Sequence, residues 1–81
     1  MRGRRSLRLT PTELQILKLL IATPDRLVTR QELLDNIWGQ NAPIDIRTVD
    51  VTVNRLRRSL TSEGELDPIR SIRGQGYVFR F

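Results

Sequence analysis

The sequence contains no cysteine and no histidine, a single lysine among its 14 basic residues, and only four aromatic residues in 81 positions. Without cysteine there are no disulfides and no thiolate metal sites. Without histidine the commonest general base and the commonest ligand of catalytic metals are both gone. A catalytic site would have to be built from Asp, Glu, Ser or the lone Lys18, and no pair of these stands in a recognisable arrangement, so no enzymatic activity is expected. No cofactor is expected either. Long apolar runs are missing too. Arg2, Arg4, Arg5 and Arg8 are not followed by a signal-like apolar region, and no stretch approaches the roughly 18 to 20 residues that span a bilayer. A cytoplasmic protein with no membrane partner is expected.

What the chain has is positive charge of one kind. The formal net charge is +5, and 13 of the 14 basic residues are Arg. Arginine presents a planar fork of donors that matches phosphate or guanine two bonds at a time, whereas lysine is a compact, hydrated point charge. The partner is expected to be an anion, although a basic surface kept for solubility has the same composition. Position has to decide.

At 81 residues one small domain is expected, and no internal repeat divides it. Leu7, Arg8 and Leu9 alternate as a short strand would. Thr10-Pro11-Thr12-Glu13 has the form of a capping box with proline at the first helical position. The helix it opens carries Leu14, Ile16, Leu17, Leu19, Leu20 and Ile21 around most of its circumference, which predicts a buried central helix ending before Pro24. Thr29-Arg30-Gln31-Glu32 is a second capping box, ahead of Leu33, Leu34, Ile37 and Trp38, with Gly39 suited to the C-terminal cap. Gly39 to Ile44 reads as a loop.

Ile46 to Leu60 reads as a third helix. Its seam of Ile46, Val49, Val53, Leu56 and Leu60 falls within an arc of roughly 80° at about 100° per residue. Near the opposite side stand Thr48, Val51, Arg55 and Arg58, flanked by Arg47 and Asn54. A helix fits the major groove of DNA, where Arg binds guanine, Asn pairs with adenine and apolar groups touch the thymine methyl. The basic face holds Arg47, Arg55, Arg57 and Arg58 against only Asp45 and Asp50, so it lacks the mixed-sign ladder of an ordinary solvated helix. Arg57 lies beside the seam, where a structural ion pair and a phosphate contact are equally open. Ile69 to Arg73 and Tyr77 to Phe81 read as two strands joined by Gly74-Gln75-Gly76, with Tyr77, Phe79 and Phe81 on one face and Val78 and Arg80 on the other. The fold class is α+β, mostly α: three helices followed by a C-terminal hairpin.

Leu9-Thr10 with Glu13 and Leu17, Thr29-Arg30-Gln31-Glu32-Leu33, Trp38-Gly39, Arg47-Thr48-Val49-Asp50-Val51, Leu56-Arg57-Arg58 and Arg73-Gly74-Gln75-Gly76-Tyr77 follow one another in the order and spacing of a known family. Over nearly its whole length the chain resembles the C-terminal winged-helix effector domains of OmpR/PhoB-type response regulators. The resemblance implies a winged helix-turn-helix that binds double-stranded DNA sequence-specifically and regulates transcription within a two-component phosphorelay. The third helix would read the major groove and the hairpin, as a wing, the adjacent minor groove. By similarity Arg47 and Thr48 bind phosphates, Trp38 offers its indole N–H to a phosphate, Val51, Asn54 and Arg55 face bases, and Arg58 follows the backbone. Ser71 and Arg73 serve the wing. The loop of Gly39, Gln40, Asn41, Ala42, Pro43 and Ile44 resembles the segment with which such activators touch RNA polymerase.

Partners implied are direct-repeat half-sites on DNA, bound as a tandem homodimer, and RNA polymerase. Thr52 stands where the family often has histidine, and Asn54 where a basic residue is frequent, so base preference does not transfer. The family's N-terminal sheet is mostly missing and its receiver domain is absent, so the chain is expected to be a fragment of a longer protein. The alternative from another class is a winged helix that docks an acidic protein partner through the basic face. An RNA or single-strand binder is disfavoured because Trp38, Tyr77, Phe79 and Phe81 occupy core-like positions.

Overall fold

The computed structural model describes residues 9–80. Helix α1 spans Pro11–Ala22 and opens on a complete capping box. The Thr10 hydroxyl accepts from the Glu13 amide, and the Glu13 carboxylate accepts from the Thr10 amide, each at 3.1 Å. A two-residue strand, β1 (Val28–Thr29), leads into α2 (Arg30–Leu33) through the second capping box, with Thr29 and Glu32 paired at 3.0 Å in both directions. Helix α3 covers Ile46–Leu60, and the wing is β2 (Ile69–Ile72) with β3 (Gly76–Phe79).

The strands form one antiparallel sheet in the order β1-β3-β2. The sequence led to the hairpin and a short strand at Leu7 to Leu9, and to no strand at Val28–Thr29. The third strand is only two residues long and has no alternation to reveal it, yet it makes β3 a central strand. Val28 lies opposite Tyr77 and Thr29 opposite Gly76. On the other side Ile69 faces Phe79 and Ser71 faces Tyr77. Beyond the strand ends the Asp25 amide donates to the Phe79 carbonyl at 2.9 Å, and the Arg80 amide to the Pro68 carbonyl at 2.7 Å.

The core lies where α1, α2 and α3 meet this sheet. Ile16, Leu20, Leu33, Val49, Val53, Leu56, Ile69 and Val28 are sealed from solvent, with Tyr77 and Phe79 closing the wing side. Of the predicted α3 seam, Val49, Val53 and Leu56 are buried, Leu60 packs at the edge, and Ile46 is exposed at the helix start.

Four local expectations are corrected. Helix α1 is not buried all round: Leu14 and Ile21 are exposed, and the helix buries one face, led by Ile16 and Leu20, with the capping residue Glu13. The second helix turns π-helical over Leu34–Trp38, where the Gly39 amide donates five residues back to the Leu34 carbonyl at 3.0 Å, and Gly39 then exits at a φ of 101°. Val78, on the face opposite Tyr77 and Phe79, is buried as they are, whereas Arg80 on its side is exposed, so that face is not uniform. The hairpin turn is Arg73 to Gln75, closed by the Gln75 amide on the Ile72 carbonyl at 2.9 Å, and Gly76 already belongs to β3. A strand beginning at Leu7, and Phe81, lie outside the described residues; Leu9 itself is not in a strand.

Candidate nucleic-acid interface

The buried stripe of helix α3 fixes the rotation about its axis, and that rotation decides which side chains face outward. Val51, Asn54, Arg55 and Arg58 are exposed together on the outward side, and Val51 keeps half its surface in solvent. Thr48, expected to point outward with them, is half-buried, and its carbonyl accepts from the Thr52 hydroxyl at 2.8 Å. Ile46, on the seam side, is exposed only because the first turn of the helix lies at the edge of the core.

The charges around the helix are sorted by two ion pairs. Asp50 is turned away from the arginine face. Its Oδ1 accepts from Arg30 Nε of α2 at 2.7 Å and from the Tyr77 hydroxyl of β3 at 2.5 Å. Burial alone would raise the Asp50 carboxyl, but the Tyr77 and Arg30 hydrogen bonds and the Arg30 charge hold it below the usual aspartate range. The same contact, added to burial, pushes the Tyr77 hydroxyl up to about 12. On the same flank of the helix, Arg57 Nε donates to Asp67 Oδ2 at 2.7 Å and its Nη1 donates to Ser71 Oγ at 2.8 Å. Of the two roles left open for Arg57, the ion pair is the one the structure contains. It also engages the hydroxyl of Ser71, one of the two expected wing contacts.

What is left facing outward is almost purely cationic. Arg47, at the helix start, reaches back to Asp45 at 3.3 Å, with both side chains largely in water. Asp45 also caps the helix, accepting from the Arg47 amide at 2.9 Å, and that backbone bond holds its carboxyl below the ordinary value. Arg55 and Arg58 are exposed, and Arg73 is exposed at the wing turn. Gly74 takes a φ of 73° there, and a Cβ on it would meet nothing within 4 Å, so the tip is narrow and its backbone accessible. Thus α3 presents a group of arginines on one helix face, and the hairpin tip presents a single one, Arg73.

Trp38 is partly buried against the core at the end of the π turn. In the loop that follows, Gln40, Asn41 and Pro43 are exposed and Ile44 packs on the core; Asn41 sits at a positive φ of 64°. Sequence reasoning missed Arg30, Asp67 and Tyr77 as parts of this site. Their partners lie 20, 10 and 27 positions away, beyond the reach of any helical or strand period.

The family described as "Transcriptional regulatory protein, C terminal" matches residues 3–79. The chain belongs to this family. It is similar to the phosphate regulon transcriptional regulatory protein PhoB of Rhizobium meliloti (strain 1021), 46% identical over 76 residues, which are 94% of this chain and 34% of that protein. It is likewise similar to the response regulator MprA of Mycobacterium ulcerans (strain Agy99), 43% identical over 79 residues, 98% of this chain and 34% of the other. Among solved structures it resembles the DNA-binding domain of the response regulator AdeR in complex with an intercistronic region. There the TM-score is 0.80 at 36% identity, covering 93% of this chain and 74% of that one. The chain spans about a third of the length of the curated relatives it matches. It is a winged-helix domain of the OmpR/PhoB response-regulator type, with a third strand joining the wing. No helix among the described residues is long and apolar enough to cross a membrane.

Proposed function

We propose that this domain binds double-stranded DNA sequence-specifically in transcriptional regulation, as the cytoplasmic effector part of a two-component response regulator. In this reading α3 lies in a major groove and the wing enters the adjacent minor groove. The observation that carries it is the sorting of charge on α3. Asp50 and Arg57 are drawn to the wing side by Arg30, Tyr77 and Asp67, while Val51, Asn54, Arg55 and Arg58 are left together on an unobstructed face. Arg55, Asn54 and Val51 read base edges. Arg47, Thr48, Arg58 and the Trp38 indole hold phosphates, Ser71 and Arg73 serve the wing, and no cofactor takes part. On this reading two copies sit in tandem on direct-repeat half-sites about one helical turn apart. The Gly39 to Ile44 loop, whose exposed Gln40, Asn41 and Pro43 lie clear of the core, faces RNA polymerase.

Selection from a randomised duplex pool, followed by anisotropy titrations of the enriched duplex at several salt concentrations, tests the proposal. A repeated motif bound far more tightly than random duplex at equal salt is expected. Arg55→Ala relaxes the preference at one position, by about 1 to 3 kcal/mol of discrimination, whereas Arg47→Ala weakens all sequences alike and lowers the salt slope by about one. Steep salt dependence without enrichment would leave a backbone binder. Absence of duplex binding would replace this reading with a module that docks an acidic protein.

A further inference from the structure

Helix α3 and the wing are separate elements joined by the segment 61–68, and two side-chain clamps tie them together. Asp50 and Arg57 stand seven residues apart, two turns along one flank of α3, at a rise of about 1.5 Å per residue. Asp50 holds Tyr77 and Arg57 holds Ser71, and Ser71 and Tyr77 are cross-strand partners in the hairpin. The two contacts therefore close a ring of helix, β2 and β3. Asp67 is the hub of the Arg57 side. Its Oδ2 takes Arg57 Nε, and its Oδ1 takes the amide of Ile69, the fully buried first residue of β2, at 2.9 Å. Both carboxylate oxygens are thus used, one on the reading helix and one on the strand that carries Ser71 toward Arg73.

We infer that Asp67 and Arg57 are positioning residues for DNA binding, setting the wing arginine Arg73 at a fixed distance from the arginines of α3. The inference rests on the DNA-binding reading above and deepens it. Two contacts on one duplex reinforce each other only as far as their spacing is preset. A loosely hinged wing loses part of that gain when it is ordered on binding. Arg57 acts through Asp67 and Ser71 and does not itself hold DNA. The inference has an electrostatic signature. Removing the Asp67 carboxylate makes the domain more positive by one charge, which by itself strengthens binding to a polyanion; a positioning role predicts the reverse.

The test is a double-substitution cycle on the selected duplex at constant salt, with Arg73→Ala, Asp67→Asn and the double variant. Asn is isosteric and retains an oxygen for the Ile69 amide, so the fold is preserved while the Arg57 clamp loses its charge. Asp67→Asn is expected to weaken specific binding by about fivefold. Arg73→Ala is expected to cost about fivefold in the parent but less than about twofold when Asp67→Asn is already present, within the range of coupling seen between groups acting as a unit. A second measurement needs no DNA. Because the chain has no native cysteine, spin labels on Arg58→Cys and Gln75→Cys report the helix-to-wing distance alone. A narrow distribution in the parent that broadens with Asp67→Asn supports the inference, and an unchanged one overturns it. Tighter binding by Asp67→Asn, as expected if it frees Arg57 to grip a phosphate, overturns it, as do losses that simply multiply. If the parent binds no duplex, the DNA-binding reading falls and the inference with it, but the unchanged or broadened distance distribution still tells the two failures apart.

Discussion

The hydroxyl of Tyr77 donates to the carboxylate of Asp50 across 27 positions of sequence, fastening the central strand β3 to helix α3. Arg30 shares the same carboxylate oxygen, so the contact is a three-element junction of α2, α3 and β3. Tyr77→Phe keeps the buried ring and removes only the donor, leaving Asp50 with Arg30. The expected loss is about 1.5 to 3 kcal/mol of folding stability, the ordinary range for a hydrogen bond to a charged group. Urea titration with an unchanged m-value checks it, since an altered slope would point to a change in the unfolded chain instead.

The same junction predicts how stability depends on alkali. Burial first, and the Asp50 hydrogen bond second, raise the Tyr77 hydroxyl from its ordinary value of 10.0 to about 12. A group whose pKa is higher when folded stabilises the fold fully below its unfolded pKa and loses that contribution as pH rises through the folded value. Stability should therefore fall between about pH 10 and pH 12. Measured by chemical denaturation across that interval, Tyr77→Phe should show a shallower decline; an equal slope would mean that Tyr77 keeps no protected proton.

Acid acts with the opposite sign. Glu32 is held below its ordinary value chiefly by the Thr29 amide, Asp45 by the Arg47 amide, and Asp50, against its own burial, by Tyr77 and Arg30. Carboxylates depressed in the fold give stability that is complete above the unfolded pKa and lost as pH falls through the folded one. Thermal unfolding followed from pH 6 downward should show a plateau and then a steady loss below about pH 4. Glu32→Gln, which keeps a side-chain acceptor for the Thr29 amide, should flatten that loss.

The two capping boxes, the span of α3 and the tight hairpin turn are all visible in the sequence, because each depends on residues within four positions of one another. The Thr10–Glu13 and Thr29–Glu32 pairs appear in the structure as expected, and α3 begins at Ile46 and ends at Leu60. What could not be read depends on distant partners. Strand β1 exists because Val28 and Thr29 find Tyr77 and Gly76, and its two residues carry no period of their own. The role of Asp50 was hidden for the same reason. Beside the arginines of α3 it counts as a charge of the wrong sign, and only Arg30 and Tyr77 reveal it as a structural tie. Leu14 and Ile21 misled in the other direction, since an apolar residue on a helix need not be on its buried side.

Capping is a local effect that can be removed without touching the core. Thr10→Ala and Thr29→Ala should each cost about 1 kcal/mol, the usual value for the loss of an N-cap hydroxyl. Thr29 should be the more sensitive, because its side chain is half-buried, whereas Thr10 is exposed ahead of its helix. Equal losses in paired denaturation curves would show that burial of the Thr29 side chain adds nothing beyond the cap.

The two wing glycines, only two positions apart, should respond to alanine for different reasons and by different amounts. Gly74 has a φ of 73° with open space around it, so Gly74→Ala meets only backbone strain, about 1 to 2 kcal/mol for a side chain in the left-handed region. Gly76 has no such φ, but a Cβ there would lie 2.2 Å from the Val28 carbonyl oxygen and 2.8 Å from the Thr29 Cα. Those atoms are backbone, and Val28 is sealed in the core, so neither can move aside cheaply. Gly76→Ala must push β1 off β3, opening the pairs Val28–Tyr77 and Thr29–Gly76 and pulling Tyr77 away from Asp50. It should therefore destabilise the domain by more than Gly74→Ala. Faster amide exchange at Val28 and Thr29 is expected in the Gly76 variant and not in the Gly74 variant. If both variants lose the same stability and leave those amides equally protected, the close approach of β1 to β3 is not what demands glycine at 76.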